Sequence, residues 1–262
     1  MNTIERQEYL LKEATAKNFV SIPNSADFLG VSVETIRRDI NRLCEKRMLK
    51  KVHGGAVPVK LSFRKDPQYT QRIKQNQQVK TTIAHEAIKL IRDGDTITFG
   101  GGATTAILAE QIHSVHNVTF VVNSLHIANT LATKLASGEI TGRLIFIGGE
   151  IDYNTRHAID LYALESMEKF HFDIAFVSCS ALSATSVSND SLSSIYMKRL
   201  LQRANTAVLL VDSDKLGVYS THEFAKPTDF DWIITDDQKP FPKDLMSLLQ
   251  DSDTRLKIVK SN

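Results

Sequence analysis

Only two cysteines occur in the 262 residues, Cys44 and Cys179. They lack the paired spacing of a metal site, and two lone thiols make no disulfide framework. A reducing, cytoplasmic setting is the expectation. No apolar run approaches the roughly 20 residues that cross a bilayer. The opening MNTIERQEYLLKE is charged from its first turn and lacks the apolar stretch of a secretory signal. A membrane partner is therefore not expected. Internal repeats and low-complexity tracts are also missing, which excludes solenoid and linker-like architectures. The chain does have an ordinary hydrophobic fraction, 42%, enough for a sizeable core. Its length suits a small module joined to one larger α/β domain.

The net charge of +2 is small but unevenly spread. Residues 1–57 hold ten Lys/Arg against seven Asp/Glu, which leaves 22 against 23 beyond them. Within residues 37–51 the count is seven basic to two acidic. A basic stretch at one end of a near-neutral chain suits a polyanion, although charge alone also fits a solvated helix face.

Hydrophobic spacing predicts a helix over 3–17 with Ile4, Leu10, Leu11 and Ala14 on its apolar side. Pro23 and Asn24 start a short helix over 24–29, Gly30-Val31 turns the chain, and Ser32 caps a longer helix over 33–47. Lys50-Lys51-Val52 then enters a glycine turn at His53-Gly54-Gly55-Ala56. Helix, short helix, turn, longer helix and hairpin is the order of a winged helix-turn-helix. The domain reading is 1–57 for this module, a polar linker with Pro58 and Pro67 over 58–80 whose end can be the start of a helix, and a larger domain over 81–262. That domain alternates apolar strands (96–99, 118–122, 144–147, 174–178, 207–211, 232–235, 256–259) with helices (82–92, 104–112, 125–137, 160–170, 191–204, 243–250). The pattern predicts an α/β fold with a mainly parallel sheet covered by helices.

On the helix over 33–47, Ile36, Ile40 and Leu43 share one side with Val33 near them. Glu34, Thr35, Arg38, Asn41 and Arg42 project oppositely, and Arg37 lies on the flank. Arginine forks suit guanine edges or phosphates, and Ser32 and Thr35 sit where a helix N-terminus meets a phosphate or a base methyl. Lys50, Lys51 and His53 on the hairpin would reach adjacent backbone. The string VSVETIRRDINRLCEKRMLKKVHGGAV resembles the signature of the DeoR family of bacterial regulators. Thirteen of 26 positions match, among them Val31, Ser32, Thr35-Ile36-Arg37-Arg38-Asp39-Ile40 and His53-Gly54-Gly55-Ala56. The resemblance implies double-stranded operator DNA as partner. It implies that Thr35, Arg37 and Arg38 contact DNA and that Asp39 fixes neighbouring arginines. One small module contacts few bases, so a homodimer or homotetramer is expected.

In the larger domain, Phe99 leads into Gly100-Gly101-Gly102-Ala103-Thr104-Thr105 before a helix. Glycines let backbone N–H groups close on a phosphate, and the helix N-terminus adds a favourable field. The spacing is neither a P-loop nor a dinucleotide fingerprint. Here too the chain resembles the DeoR family, whose sensor is similar to ribose-5-phosphate isomerase and binds sugar phosphates. The resemblance carries a role in effector binding to Lys80, Gly101, Gly102, Ala103, Thr104, Thr105, Asn123, Ser124, Gly148, Gly149, Asp212 and Lys215. The sequence departs from the family at Gly100, where an aspartate is usual, and at Ala103, where Ser or Thr is usual. It departs again at His157-Ala158-Ile159-Asp160, which replaces a Gly-Pro step, and at Asn189-Asp190, which replaces an acidic pair. Gly100, Gly101 and Gly102 after Phe99 resemble the subgroup of lactose-operon repressors.

An isomerase would need a general base beside a substrate C–H. The glycine loop carries none, and Asp212 and Asp214 remain the candidates. Neither a Ser/His/Asp arrangement nor a metal cluster emerges from the eight histidines. The reading is therefore a non-enzymatic regulator without a cofactor, a repressor of a sugar-catabolic operon. A large domain that only oligomerises is the alternative.

Overall fold

The computed structural model describes residues 3–17, 19–45, 48–52, 54–58, 69–152, 155–189 and 193–261. Contacts divide the chain into two units, Met1–Leu61 and Ser62–Asn262.

The first unit runs α1 (Thr3–Lys17), β1 (Val20–Ser21), α2 (Ile22–Leu29), α3 (Val33–Glu45), β2 (Leu49–Val52) and β3 (Gly55–Pro58). Local chemistry sets its boundaries. Ser21 Oγ accepts from the Asn24 N–H, Pro23 stands in the first turn of α2, and Gly30 closes that helix at φ 62°. The Thr35 N–H donates to Ser32 Oγ at 3.1 Å, capping α3. Leu10 and Ala14 of α1 meet Ile36, Ile40 and Leu43 of α3 in a closed cluster with Val20, Leu49 and Ala56. Val33, expected near this apolar side, is 40% exposed. It is the first helical residue, and its side chain points back past the end of the packed surface. β3 pairs antiparallel with both β1 and β2, forming the wing.

The second unit begins with α4 (Tyr69–Lys74) and α5 (Gln77–Ile88). Residues 69–80, expected as linker, are thus largely helical. Ile73 and Val79 bury against the core, and this burial overrides a glutamine-rich sequence with little helical period. The chain continues through β4 (Thr96–Phe99), α6 (Ala103–Gln111), β5 (Val118–Val122), α7 (Leu125–Ser137) and β6 (Gly142–Phe146). A short hairpin follows, β7 (Ile151–Asp152) and β8 (His157–Ala158), then α8 (Leu161–Met167) and β9 (Phe172–Ser178). After β10 (Ala181–Leu182), β11 (Val187–Asn189) and α9 (Ser193–Leu201) come β12 (Ala204–Leu210) and β13 (His222–Ala225). β14 (Trp232–Asp236), α10 (Lys243–Gln250) and β15 (Arg255–Val259) end the fold.

Seven strands form one parallel sheet in the order β15-β14-β12-β9-β4-β5-β6. Each corresponds to an apolar run anticipated in the sequence. One sheet face packs a core that includes Phe99, Phe120, Phe176 and Ile83. The other packs Phe172, Val177, Met197 and Leu245. The small antiparallel sheet β10-β11-β13 and the β7-β8 hairpin were not anticipated. Their strands are two to four residues long, too short to show a period of two.

Candidate functional site

The outward face of α3 carries Arg37, Arg38, Asn41 and Arg42, all exposed, with Lys51 exposed on β2. His53 lies outside the described residues. Arg37 and Glu34 approach at 3.7 Å, both largely solvated, so the pair adds little and leaves Arg37 available. The Ser32 and Thr35 hydroxyls lie 2.8 Å apart, engaged with each other at the cap. Asp39, one turn from the arginines, is buried. Its carboxylate accepts from Arg6 Nε at 2.8 Å and Gln7 Nε2 at 3.4 Å. The arginine it holds is Arg6 of α1, which braces α3 against α1.

In the second unit, the chain runs outward from β4 through β5 to β6, then returns to lay β9 on the other side of β4. The carboxyl ends of β4 and β9 are thus a topological switch point, where open α/β sheets leave a crevice. A small cleft opens there. Gly101 and Gly102 follow β4, Asn123 follows β5, and Ser180 follows β9. Arg72 of α4, Thr155, His157, Ile159, Asn189, Ser193, Tyr196 and Met197 complete the lining.

The glycines are where side chains cannot be. A Cβ on Gly102 would stand 1.8 Å from Ser178 Oγ, and one on Gly101 would stand 2.7 Å from His157 Nε2. Gly100, at the position usual for aspartate, is closed as well: its Cβ would meet Val177 Cγ1 at 2.8 Å. The Gly100 N–H continues the sheet to Phe176 O. Thr105 Oγ1 donates back to the Gly100 carbonyl at 2.8 Å, with Gly102 O at 3.0 Å. That hydroxyl therefore braces the loop. Ala103 and Thr104 begin α6 from inside the core, and among the described residues Thr104 Oγ1 has no hydrogen-bond partner.

Asn123 donates through Nδ2 to Ala158 O at 2.8 Å. Its Oδ1 is buried without a partner among the described residues. Ser124 accepts from the Ile127 N–H and caps α7. His157 is buried, and its Nδ1 lies 2.6 Å from Thr155 O. Nδ1 therefore carries the proton and Nε2 the lone pair. Burial holds the imidazole down at about 4, with the Thr155 carbonyl opposing, so it is neutral near pH 7. Burial likewise pushes the Cys179 thiol up to about 12, which leaves it unreactive. Among the described residues the lining includes no carboxylate, and Arg72 carries a permanent charge.

Other residues anticipated for effector binding stand apart from this lining. Gly149, at φ 146°, leaves room for Asp160, whose carboxylate accepts from the Glu150 and Ala163 N–H groups at 2.7 Å each. These bonds hold the Asp160 carboxyl below its ordinary range. Gly148 is exposed on the same turn. Lys215 pairs with the buried Asp212 at 3.2 Å. Lys80 is buried and donates to the carbonyls of Arg72 (2.8 Å) and Gln75. The structure thus brings Gly101, Gly102 and Asn123 into the cleft. Lys80, Asp212 and Lys215 occupy a charged cluster that reaches it through α4. Arg72 and His157 were missed; His157 had one indirect signal, its place in the segment that replaces a Gly-Pro step, and Arg72 had none.

Residues 6–60 match the DeoR-like helix-turn-helix domain, and residues 75–237 match the DeoR C terminal sensor domain. The HTH-type transcriptional regulator GolR of Listeria innocua is 31% identical over 99% of this chain and 100% of its own length. The lactose phosphotransferase system repressor of Staphylococcus aureus is 30% identical over 90% of this chain and 93% of its own. IolR of Bacillus subtilis is 32% identical over 83% of each chain. Among solved structures, a ribose-5-phosphate isomerase in complex with phospho-erythronic acid aligns at a TM-score of 0.38 with 18% identity. The alignment covers 54% of both chains, so this chain spans about half the length of that neighbour.

Proposed function

We propose, for a chain that belongs to the DeoR family of helix-turn-helix transcriptional regulators, that it represses a sugar-catabolic operon and that a phosphorylated sugar in the β4/β9 cleft changes its operator affinity. The observation that carries the effector reading is the cleft floor. Two glycines open the backbone before the N-terminus of α6, where N–H groups and the helix field favour an anion. Arg72 adds a planar cation. Asn123 Oδ1 and the neutral His157 supply acceptors for sugar hydroxyls. A repressor named for a lactose phosphotransferase system among the relatives supports a sugar-linked role.

Regulation, not turnover, is the reading. Isomerisation needs a base beside the substrate carbon, and the described lining residues offer no carboxylate. On α3, Arg37, Arg38, Asn41 and Arg42 read or grip operator DNA while Ser32 and Thr35 set the helix start; Lys51 grips the flanking backbone. Pairing two modules as a homodimer or homotetramer reads two half-sites. The effector then acts by differential affinity for two states of the oligomer.

The test titrates full-length protein onto labelled DNA from upstream of its own gene and onto shuffled DNA. Hexose and pentose phosphates are then added beside the unphosphorylated sugars. The expected result is at least tenfold preference for the upstream DNA and a shift by a phosphorylated sugar alone. Equal affinity for shuffled DNA overturns the regulator reading. A shift by the unphosphorylated sugar overturns the phosphate site.

A further inference from the structure

Arg72 takes part in two arrangements at once. Its side chain lines the cleft, and its carbonyl accepts from the buried Lys80 ammonium. Lys80 also donates to Gln75 O, so one cation closes the carboxyl end of α4. The next residue, Asn76, adopts a left-handed turn at φ 52° and donates to Asp214 Oδ2 at 2.9 Å. Lys239 holds the other Asp214 oxygen at 2.6 Å. The carboxyl end of α4 is therefore pinned to the second unit. Its amino end, Tyr69, follows directly on residues 59–68, the stretch of chain that comes from the DNA-binding unit.

Six residues are too few for a helix to hold itself together. α4 exists through what it touches: Ile73 in the core, Lys80 at its end, and the cleft through Arg72. An added contact at Arg72 would stabilise the whole helix. We propose that α4 is the element that registers the occupancy of the cleft: Arg72 contacts the phosphate of the ligand, and Lys80 ties that contact to the order of the helix leading to the DNA-binding unit. The inference rests on the phosphate reading of the cleft. It adds a binding residue and a route of regulation that the family match does not supply. At neutral pH Lys80 keeps most of its charge, because burial lowers its pKa no further than about 8.

Hydrogen exchange on the full chain tests it, with inorganic phosphate as the probe and chloride at equal ionic strength as the control. Phosphate should slow exchange at least threefold in two segments, residues 100–108 of the glycine loop and residues 69–76 of α4. In Arg72→Met the α4 protection disappears, and protection of the loop needs more phosphate. In Lys80→Met, α4 exchanges at least tenfold faster without phosphate, and added phosphate protects the loop alone. Asn76→Gly keeps the left-handed turn and removes only the bond to Asp214. It should loosen the coupling in the same direction, which covers the case in which Lys80→Met fails to fold. Loop protection with an unchanged α4 in the native chain overturns the proposal and leaves the phosphate site standing. No protection in either segment overturns both.

Discussion

Arg6 Nε lies 2.8 Å from the Asp39 carboxylate, joining residues 33 positions apart across the α1–α3 interface. Asp39 is buried and Arg6 nearly so. Asp39 follows Arg38 in the chain but lies on the buried side of α3, so the pair fixes α3 against α1. Removing one member leaves a buried charge with its solvation lost. Asp39→Ala should therefore destabilise the DNA-binding unit by about 2–3 kcal/mol. Urea unfolding of the full chain, read by hydrogen exchange in residues 6–43, measures this. The double replacement Arg6→Met with Asp39→Leu should recover most of the loss, because no charge is then stranded. An equal loss in the double variant would refute the account.

His157 ties stability to acid. Its folded-state value of about 4 lies below the ordinary histidine value because burial penalises the cation. Below about pH 6.5 the unfolded chain binds a proton that the folded chain refuses, so stability falls as pH drops from about 6.5 to about 4. At pH 4.5 the loss from this group should be roughly 2–3 kcal/mol. Unfolding free energies at pH 7.5 and 4.5, compared between the native chain and His157→Gln, isolate it. The variant should show a smaller acid loss by that amount. Parallel pH curves would show that His157 does not carry the effect.

Much of the fold can be read along the chain, and the reasons are local. Thr96–Phe99, Val118–Val122 and the 207–210 end of β12 announce themselves because parallel strands, buried on both faces, are mostly apolar. The Ser32 cap and the Ile36-Ile40-Leu43 stripe are equally local. The cleft is legible only in part. Gly101, Gly102 and Asn123 follow strands and can be picked out. His157 reaches the cleft because β8 pairs with β7 and brings Ala158 onto Asn123. No short-range pattern encodes that pairing. α4 showed only as a helix start at the end of the linker, for a related reason: its order comes from Lys80 and the core, which its own residues do not reveal. Gly149 leaves room for Asp160 to cap α8 and brace Glu150, whereas a Cβ on Gly148 would meet nothing within 4 Å.

The glycine loop should tolerate no side chain. In Gly102→Ala the new methyl group would stand 1.8 Å from Ser178 Oγ and 3.1 Å from its Cβ, at a φ of 156° that L residues rarely adopt, so the hydroxyl must turn away and the loop backbone must shift. Overpacking of this kind costs about 1–3 kcal/mol. Gly101→Ala should instead displace the His157 ring, whose Nε2 would lie 2.7 Å away. Both variants should lose at least tenfold in affinity for the sugar phosphate that acts on the native chain. Calorimetry gives the affinity, and a thermal melt separates lost folding from a lost site. Native affinity in Gly101→Ala would remove His157 and Gly101 from the site.

Arg38 and Lys51 should fail in different ways on DNA. Arg38 projects from α3 and is exposed, with a planar fork suited to a base edge. Arg38→Ala should cost about 1–3 kcal/mol on the upstream operator and little on shuffled DNA. Lys51 lies exposed on the wing strand β2, and on the proposed reading its ammonium would meet phosphate. Lys51→Ala should weaken both DNAs alike and reduce the slope of log affinity against log salt by about 1. Neither variant should shift the unfolding midpoint, since neither side chain is buried. Fluorescence anisotropy at 50–300 mM salt on both DNAs gives the two slopes and the specificity ratio together. If Arg38→Ala weakened both DNAs equally and lowered the salt slope, Arg38 would be a phosphate contact, and base reading would fall to Asn41 and Arg42.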